Sequence, residues 1–364
     1  MNLHPRPDTF LFSPEHIPER ARFPVIDAHN HLWSAWDSID RVVEVMDQVG
    51  VVGYCDLTAN VELQWVTGGY AFKATSIDPF FARAVTPHPG RFYGFTTSLF
   101  TRPITEPLFD EARAFVEQAI ALLEQHVRLG AQGLKILKEL GLHYRDAYGR
   151  RIACCDERLA PVWQACTRLK IPVLLHQADP YGFFEPVTPA NEHYGSLQKY
   201  PSWSFVDPRF PRFITLQEEM TRLLANHPDT TFILAHAANF PENLEYVGNL
   251  LDRHPNAFID LSARTDELGR QPHTARQFII RYQDRIIFGT DMPASVEMYR
   301  YHFRFYETTD EYFIHPDYDG TFGRYRWRVH GLGLPDDVLK KLYHQNILRL
   351  IPGLRKPFTG RANT

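Results

Sequence analysis

Short apolar runs, many of them rich in β-branched residues, alternate along the chain with longer segments whose apolar residues recur every three or four positions. The first pattern is typical of buried strands and the second of amphipathic helices. In the segment 110–129, for example, Phe115, Val116, Ala119 and Leu123 recur at helical spacing. Eight strands are predicted in this way, at 24–28, 51–58, 91–98, 133–137, 172–176, 230–235, 257–262 and 285–290.

Helical patterns separate these strands along most of the chain. They lie at 37–49, 78–86, 110–129, 157–169, 212–226, 241–253, 276–283 and 335–350. Strands that alternate with helices form right-handed βαβ units and a parallel sheet. Eight such units predict an α/β fold of the (β/α)8 TIM barrel type, distorted by long loops. The glycine-rich fingerprints of nucleotide-binding folds are missing from the sequence.

The length of the chain fits one such barrel. A minimal barrel takes about 250 residues, and this chain has 364. The remainder is assigned to an N-terminal arm at 1–21, loops at 178–210 and 291–334 after strands five and eight, and a short tail from 353. Because no repeat or linker divides the sequence, we predict a single domain over 1–364.

Charge and composition narrow the function classes. The formal net charge is −4, which argues against a nucleic acid or an anionic membrane as the main partner. No apolar run is long enough for a transmembrane helix, and residues 1–10 lack the apolar stretch of a signal peptide. Four cysteines without a C-x-x-C pair do not form a disulfide framework. These features predict a soluble, reduced, cytoplasmic protein.

Aromatic residues, 13% of the chain, concentrate in the segments 181–213 and 299–327. These segments overlap the two long loops, which would lie on the catalytic face of the barrel, and long loops in compact domains are usually functional. An aromatic substrate cover and a homodimer contact are both compatible with this composition. We predict substrate walls from the aromatic residues of the first loop, namely Tyr181, Phe183, Phe184 and Trp203.

Polar residues that suit a metal lie where active sites of parallel barrels are built, at the carboxyl ends of the strands. They are His29, His31, His176, His236 and Asp291. Alternate residues of a strand point to the same side, so the imidazoles of His29 and His31 would face the barrel axis together. One such histidine would more often be a packing residue, but the set predicts a site for Zn²⁺ or a similar divalent ion.

The motifs around these residues resemble the amidohydrolase superfamily. They are D-x-H-x-H at 27–31, the single histidines His176 and His236, and G-T-D at 289–291. VIDAHNH and FGTDMP are similar to the amidohydrolase-related branch, which includes aminocarboxymuconate semialdehyde decarboxylase, γ-resorcylate decarboxylase and several lactonases. The resemblance runs from Val25 to about Leu350.

The resemblance implies a role for each of the matching residues. His29, His31, His176 and Asp291 would be metal ligands, and Asp291 would also carry a proton. His236 would bind a second metal or polarise the substrate. The implied cofactor is one or two divalent ions, zinc in the first place, with manganese or another ion as the alternative.

Two cations on the strands and loops have open roles. Lys135, in the fourth strand, matches the lysine that is carboxylated and bridges two metals in binuclear members. Alternatively, it pairs with Asp291 or another acid, or binds a substrate anion. Lys138 is interpreted as a loop residue or substrate contact.

Arg264 follows the seventh strand and has two readings. Its forked guanidinium could bind a substrate carboxylate, or it could form a surface ion pair with Asp266 or Glu267. Asp179, Glu185 and His193 lie in the loop after strand five, where solvated positions are expected.

The sequence is compatible with three functions. The favoured one is a hydrolase in which metal-activated water attacks an amide or lactone carbonyl of a small organic substrate. The second is a lyase, a non-oxidative decarboxylase of an aromatic or muconate-like acid. The third is a barrel that has lost catalysis and only binds. In each case the partner is a small molecule, with a homodimer as a further possibility.

Overall fold

All eight predicted strands form in the protein. The computed structural model describes residues 5–6, 9–33, 38–66, 69–316 and 327–354. Its strands are β1 (Val25–Asn30), β2 (Val51–Asp56), β3 (Val61–Val66), β4 (Gly69–Ala74), β5 (Phe92–Gly94), β6 (Leu134–Ile136), β7 (Val173–Leu175), β8 (Phe232–Leu234), β9 (Ala257–Asp260) and β10 (Ile286–Ile287).

The strands build a parallel barrel from two sheets. One has the order β1-β2-β5, and the other has the order β10-β9-β8-β7-β6. Thr96 pairs with Leu134 in parallel and so connects β5 to β6. At the other seam, the amide of Ala28 donates to the carbonyl of Phe288, at 3.0 Å, just after β10. The predicted α/β barrel is confirmed.

Helices follow the barrel strands as the sequence pattern predicts. They are α1 (Ile39–Val49), α2 (Asp78–Phe80), α3 (Ala112–Leu129), α4 (Glu139–Leu142), α5 (Ala160–Leu169), α6 (Tyr194–Lys199), α7 (Phe213–Asn226), α8 (Ala235–Ala238), α9 (Leu244–Arg253), α10 (Thr265–Gly269), α11 (Pro272–Arg281), α12 (Val296–Glu307), α13 (Asp336–Lys340) and α14 (Asn346–Leu350). π-helical turns occur at Phe81–Val85 and Lys341–Gln345, and 3₁₀ turns at Glu157–Leu159, Tyr181–Phe184, Pro201–Trp203 and Pro352–Leu354.

Alternation along each strand separates an outer apolar layer from the barrel interior. In β7, Val173 and Leu175 pack in the large cluster beneath the helices, whereas Leu174 belongs to a smaller, separate cluster. Lys135 is the register partner of Leu174. Lys135 is fully buried. Strand β6 therefore places a lysine at the position where the neighbouring strand β7 has an aliphatic side chain.

A β-hairpin, which the sequence pattern did not predict, is inserted between β2 and β5. Strands β3 and β4 pair antiparallel along their whole length. Leu63 on β3 also pairs with Trp33, which follows β1. The hairpin thereby brings an apolar residue over the catalytic end of the barrel.

The predicted long connection at 291–334 contains helix α12. Nine of the twelve residues of α12 are buried, many of them aromatic. Its charged residues Glu297, Arg300, Arg304 and Glu307 recur every three or four positions, a helical spacing that the assignment of this segment to a loop left out. Residues 317–326 of this predicted loop and 355–364 of the predicted tail lie outside the described residues. The predicted loop at 178–210 contains α6 and two 3₁₀ turns.

The N-terminal arm packs beside α12. Arg6 donates to the carbonyl oxygens of Glu311 and Tyr312, and the His16 ring lies 2.6 Å from the carboxylate of Asp310. Among the described helices, none combines the length and the apolar character needed to cross a membrane.

Candidate metal centre and active-site cleft

A buried carboxylate fixes the end of β1 against the end of β10. Asp27 accepts hydrogen bonds from the amide and hydroxyl of Thr290, from Asn30 and from the hydroxyl of Tyr299, at 2.7–3.1 Å. Thr290 and Tyr299 are more than 260 residues away along the chain. Asp27 is therefore a structural acceptor, and it positions the segment that carries Asp291.

The seam between β1 and β10 brings His29, His31 and Asp291 together. The Asp291 carboxylate lies 3.4 Å from His31 Nε2 and 3.9 Å from His29 Nε2. The amide of Asp291 donates to the carbonyl of His29 at 2.8 Å, and Asp291 has a left-handed φ of 52°, a conformation that aspartate tolerates better than most residues. A Cβ at Gly289 would lie 2.5 Å from the Cβ of His29, so only glycine allows this approach.

His236 approaches the same carboxylate from the end of β8. Its Nε2 is 3.6 Å from Asp291 Oδ2 and has no hydrogen-bond partner among the described residues. His236 begins a run of four left-handed residues, with φ between 55° and 59°. Burial holds the pKa of its ring well below the ordinary value.

His176 lies beside this group with its ring turned away from the carboxylate. Its centroid is 4.4 Å from that of His236, but its Nε2 lies 3.1 Å from the carbonyl of Ala178 and 3.7 Å from Asp179 Oδ1. Burial lowers the pKa of His176 to about 3. A ligand role for His176 stays a prediction.

Lys135 contacts a predicted ligand directly. Its Nζ is 3.1 Å from His29 Nε2, and no ion pair within 4.0 Å joins it to Asp291 or another acid among the described residues. Burial lowers the pKa of Lys135 to about 8, against the opposing effect of Asp291, Asp260 and Glu139. The carbamate bridge remains a prediction.

The ligand atoms converge enough to fit a divalent ion. His29, His31 and Asp291 offer atoms within 4.8 Å of one another, and so do His29, His236 and Asp260. Two imidazoles and a carboxylate suit zinc, manganese or iron. The chain therefore carries a candidate His/Asp metal site.

Asp260 and Ser262 are members of the site that the sequence reasoning missed. Asp260 is fully buried at the end of β9 and accepts from the amide of His236 and from the ring of His29. Burial by itself raises the pKa of Asp260, but the contacts with His29, Ser262 and His236 outweigh this effect and lower the pKa to about 2. The available signal was the alternation of Asp260 and Ser262 at a strand end, which mirrors that of His29 and His31.

The cluster forms the floor of a cleft with about 810 Å³ of empty space, including its mouth. Its walls are mostly apolar and come from the hairpin, the loop after β7 and the segment after β10. They include Trp33, Leu63, Leu137, Phe183, Trp203 and Met292. Phe183 stacks on Trp203 with ring centroids 5.9 Å apart.

Two of the predicted aromatic wall residues do not line the cleft. Phe184 packs against Phe205 and Phe213 beneath the loop. Tyr181 stacks on Phe240 and is 43% exposed. Both rings belong to the packing that supports the loop, and sequence order alone does not separate such rings from wall residues.

Arg264 is buried in the cleft wall, so its reading as a surface residue is wrong. It is 3% exposed, and no ion pair within 4.0 Å joins it to Asp266 or Glu267. One guanidinium nitrogen donates to the carbonyl of Ala263, and Nε has no partner among the described residues. The arrangement leaves donors for an anionic group in the cleft.

A second cation of the cleft is neutralised. Lys138 forms a buried ion pair with Asp179, and both residues line the cleft. Asp179 and His193 are 7% and 1% exposed, so neither occupies the solvated loop position that the sequence suggested. Although burial opposes it, Lys138 holds the pKa of Asp179 well below its usual range.

The family model described as amidohydrolase matches residues 26–353. This match covers most of the chain and includes every residue of the candidate site. The chain belongs to the amidohydrolase family. It is therefore an amidohydrolase-superfamily enzyme, and the assignment agrees with the branch that its motifs indicated. No match was found among curated proteins.

Solved structures similar to this amidohydrolase share its fold. A 2,6-dihydroxybenzoate decarboxylase from Rhizobium has a TM-score of 0.54 at 15% identity, covering 90% of this chain and 98% of that one. A dihydroxybenzoic acid decarboxylase from a Polaromonas species, with bound manganese and 2-nitroresorcinol, has a TM-score of 0.54 at 16% identity. The match covers 90% of this chain and 96% of that one. A 4-oxalomesaconate hydratase from Rhodopseudomonas palustris has a TM-score of 0.50 at 12% identity, and the match covers 93% of this chain and 99% of that one.

A buried acid behind Arg264 gives this amidohydrolase a testable pH dependence. Glu267 is fully buried, and neither of its oxygens accepts a hydrogen bond among the described residues. Burial, and then Asp266, raise its pKa to about 7, whereas an unfolded glutamate titrates near about 4.3. The folded state keeps a proton that the unfolded state releases, so this group's contribution to stability falls as pH rises from about 4 to 7.

Glu267→Gln is therefore expected to raise the free energy of unfolding at pH 8 by about 2 kcal/mol. The difference in the free energy of unfolding between the variant and the unmodified protein should be smaller at pH 5. Urea unfolding at pH 5 and pH 8 measures this difference. Glu218→Gln, on the exposed face of α7, is the control and should show no such gap. An equal effect of Glu267→Gln at both pH values would contradict the assignment.

Proposed function

We propose that this amidohydrolase is a metal-dependent, non-oxidative decarboxylase of a small aromatic or muconate-like carboxylic acid. The observation that carries the proposal is the guanidinium of Arg264, which lines a cleft of aromatic and aliphatic side chains and forms no ion pair within 4.0 Å among the described residues. A guanidinium in that position matches a carboxylate, and the walls match a planar apolar ring.

The metal would be held by His29, His31 and Asp291, with His176 as a further predicted ligand. A zinc or manganese ion there would supply positive charge at the floor of the cleft and stabilise an anionic substrate oxygen. The existing donors, two imidazole nitrogens and a carboxylate, suit either ion.

The protein side chains perform the remaining work. Arg264 donates to the substrate carboxylate and orients it, while Trp33, Phe183 and Trp203 exclude water. Asp291, whose side chain is 20% exposed and lies 3.6 Å from His236 Nε2, takes up a proton from solvent and delivers it to the carbon that bears the carboxylate. The carbon–carbon bond then breaks, carbon dioxide leaves, and the electron pair of that bond stays with the ring carbon, so atoms and charge balance.

Hydrolysis of an amide or lactone is the second candidate, and the same pair of side chains favours it. The Asp291 carboxylate and the bare Nε2 of His236 lie at the cleft floor, and the Asp291 side chain is 20% exposed. Such a pair can take a proton from an attacking water and return it to the leaving group. The order of the two candidates reverses the one drawn from sequence, because the aromatic walls and Arg264 suit a ring carboxylate better.

A substrate panel with two readouts separates the candidates. The metal-loaded protein is incubated with hydroxybenzoates and muconate-like acids while carbon dioxide is measured, and with lactones and amides while acid release is followed. Carbon dioxide release supports the proposal. Acid release without carbon dioxide transfers the assignment to hydrolysis, and neither signal from metal-loaded protein supports a binding role.

Arg264→Gln is expected to raise KM for the carboxylate substrate by about 10- to 100-fold, because hydrogen bonds to charged groups contribute about 1.5–3 kcal/mol. Steady-state kinetics on the substrate found in the panel measures the change. Arg270→Gln is the matched control, because Arg270 pairs with Glu192 and does not line the cleft. Equal KM values for both variants would remove Arg264 from substrate binding.

A further inference from the structure

Two residues at the end of β9 connect the rings of His29 and His236. The Asp260 carboxylate accepts from His29 Nδ1 at 2.8 Å through Oδ2. Its other oxygen, Oδ1, accepts from the amide of His236 at 3.1 Å and from the amide and hydroxyl of Ser262 at 3.0 and 2.6 Å. All four residues are at most 1% exposed, so water does not compete for these bonds.

The hydrogen on the His236 ring is fixed by a backbone carbonyl. Nδ1 of His236 lies 2.9 Å from the carbonyl oxygen of Ser262. A carbonyl oxygen only accepts, so Nδ1 must carry the hydrogen. In the neutral ring, Nε2 is then a bare lone pair, and this is the atom that faces Asp291.

The two oxygen atoms next to Nδ1 of His29 both act as acceptors. The hydroxyl has one hydrogen, and at 2.6 Å it is donated to Asp260. Its oxygen lies 3.0 Å from Nδ1 of both His29 and His236, so toward these rings it can only accept. Nδ1 of His29 therefore carries a hydrogen as well, shared between Asp260 and Ser262.

We propose that Asp260 and Ser262 form a positioning pair that holds His29 and His236 in the Nδ1–H tautomer, so that both rings present bare Nε2 atoms toward Asp291. The carboxylate specifies the His29 tautomer, and the Ser262 carbonyl specifies that of His236. This inference deepens the proposed function, since a bare Nε2 is what a metal ligand or a proton acceptor requires.

The pair also supports a strained backbone. His236 has a φ of 59°, a left-handed conformation that is unfavourable for a residue with a Cβ. Its amide donates to Asp260 Oδ1, so the same carboxylate that orients the His29 ring holds the backbone of His236. Lys135 Nζ, 3.1 Å from His29 Nε2, must be the donor in that contact.

The test reads the tautomers in the metal-free protein and so does not depend on any reaction. Histidine ring ¹⁵N shifts distinguish Nδ1–H from Nε2–H, and the variants His29→Gln and His236→Gln assign the signals. We expect Nδ1–H for both rings in the unmodified protein. An Nε2–H signal for either ring would overturn the proposal, whether or not any variant folds.

Asp260→Asn separates the two rings. The asparagine carbonyl takes the place of Oδ1, where three donors converge, and its NH₂ replaces Oδ2 opposite His29. Nδ1 of His29 must then accept, so the hydrogen moves to Nε2. We expect the His29 signals to change while those of His236 remain, and the affinity for Mn²⁺ or Zn²⁺ to fall by about 10- to 100-fold in chelator competition.

Asp284→Asn is the matched control, because it makes the same change in a surface carboxylate that pairs with Lys341. Both tautomers and the metal affinity should be unchanged in this variant. His31 is an internal control because its Nδ1 contacts Thr58, not Asp260. An Asp260→Asn spectrum with His29 still in the Nδ1–H form would overturn the proposal.

The proposed function fails in a different way. If the unmodified protein shows both Nδ1–H tautomers but releases neither carbon dioxide nor acid from any substrate, the positioning role stands and the reaction assignment falls. If decarboxylation is found and His29 carries its hydrogen on Nε2, the reaction assignment stands and the positioning role falls.

Discussion

The Asp291→Asn variant is expected to lose turnover by about three orders of magnitude, the middle of the range for a lost acid–base group. Asp291 is the carboxylate on which His29, His31 and His236 converge, at 3.4–3.9 Å. The amide of asparagine has almost the same shape but neither the negative charge nor the proton. Turnover is measured on the substrate identified by the panel, and bound metal by elemental analysis of the same preparations.

Asp284→Asn is the control, since Asp284 lies on the surface and pairs only with exposed cations. It should retain both turnover and metal. The ligand assignment would be contradicted if the unmodified protein, purified with zinc or manganese present, held less than about 0.2 ion per chain. Full turnover of Asp291→Asn would remove the residue from proton transfer.

Asp27→Ala is expected to lower the free energy of unfolding by about 3–5 kcal/mol, the range for losing one partner of a buried charged network. The fully buried carboxylate accepts hydrogen bonds from Asn30, Thr290 and Tyr299. Its removal takes this acceptor from all three side chains at a place that water does not reach, although Asn30 keeps a hydrogen bond to Thr290. Urea unfolding followed by circular dichroism measures the loss.

Tyr299→Phe removes a single donor from the same carboxylate and should cost only about 1 kcal/mol. Asp284→Ala, on the surface, should change stability by less than about 0.5 kcal/mol. If Asp27→Ala were no more destabilising than Tyr299→Phe, Asp27 would not be the acceptor that closes this seam.

The barrel was predictable because its strands are buried on both faces. Runs such as 230–235 and 257–262 are short, apolar and separated by amphipathic helices, which is the pattern that parallel sheets impose. The hairpin β3–β4 was not predicted although apolar and polar residues alternate from Val61 to Trp65, before a pair of glycines. Helix α12 was not predicted although its charged residues recur every three or four positions, because the whole segment after the eighth strand was assigned to one loop.

The site was predictable where its residues occupy strand ends. His29, His31, His236 and Asp291 meet as the topology requires, but the ring of His176 faces Ala178 instead. The burial of Arg264 depends on the fold of α10 and its surroundings, which the sequence around 264–267 does not reveal. Likewise, Phe184 and Phe183 are adjacent in sequence, and only the turn at 181–184 determines which ring faces the cleft.

The seam between β1 and β10 makes metal uptake a measure of completed folding. The predicted ligands His29 and Asp291 come from the first and last strands of the barrel and meet only when the amides of Ala28 and Asp291 find their acceptors across the seam. A chain still emerging from the ribosome, or one truncated before β10, holds the histidines but lacks the carboxylate. Metal binding by an incompletely folded barrel is thereby disfavoured, and the ion would bind molecules in which β1 and β10 already lie side by side.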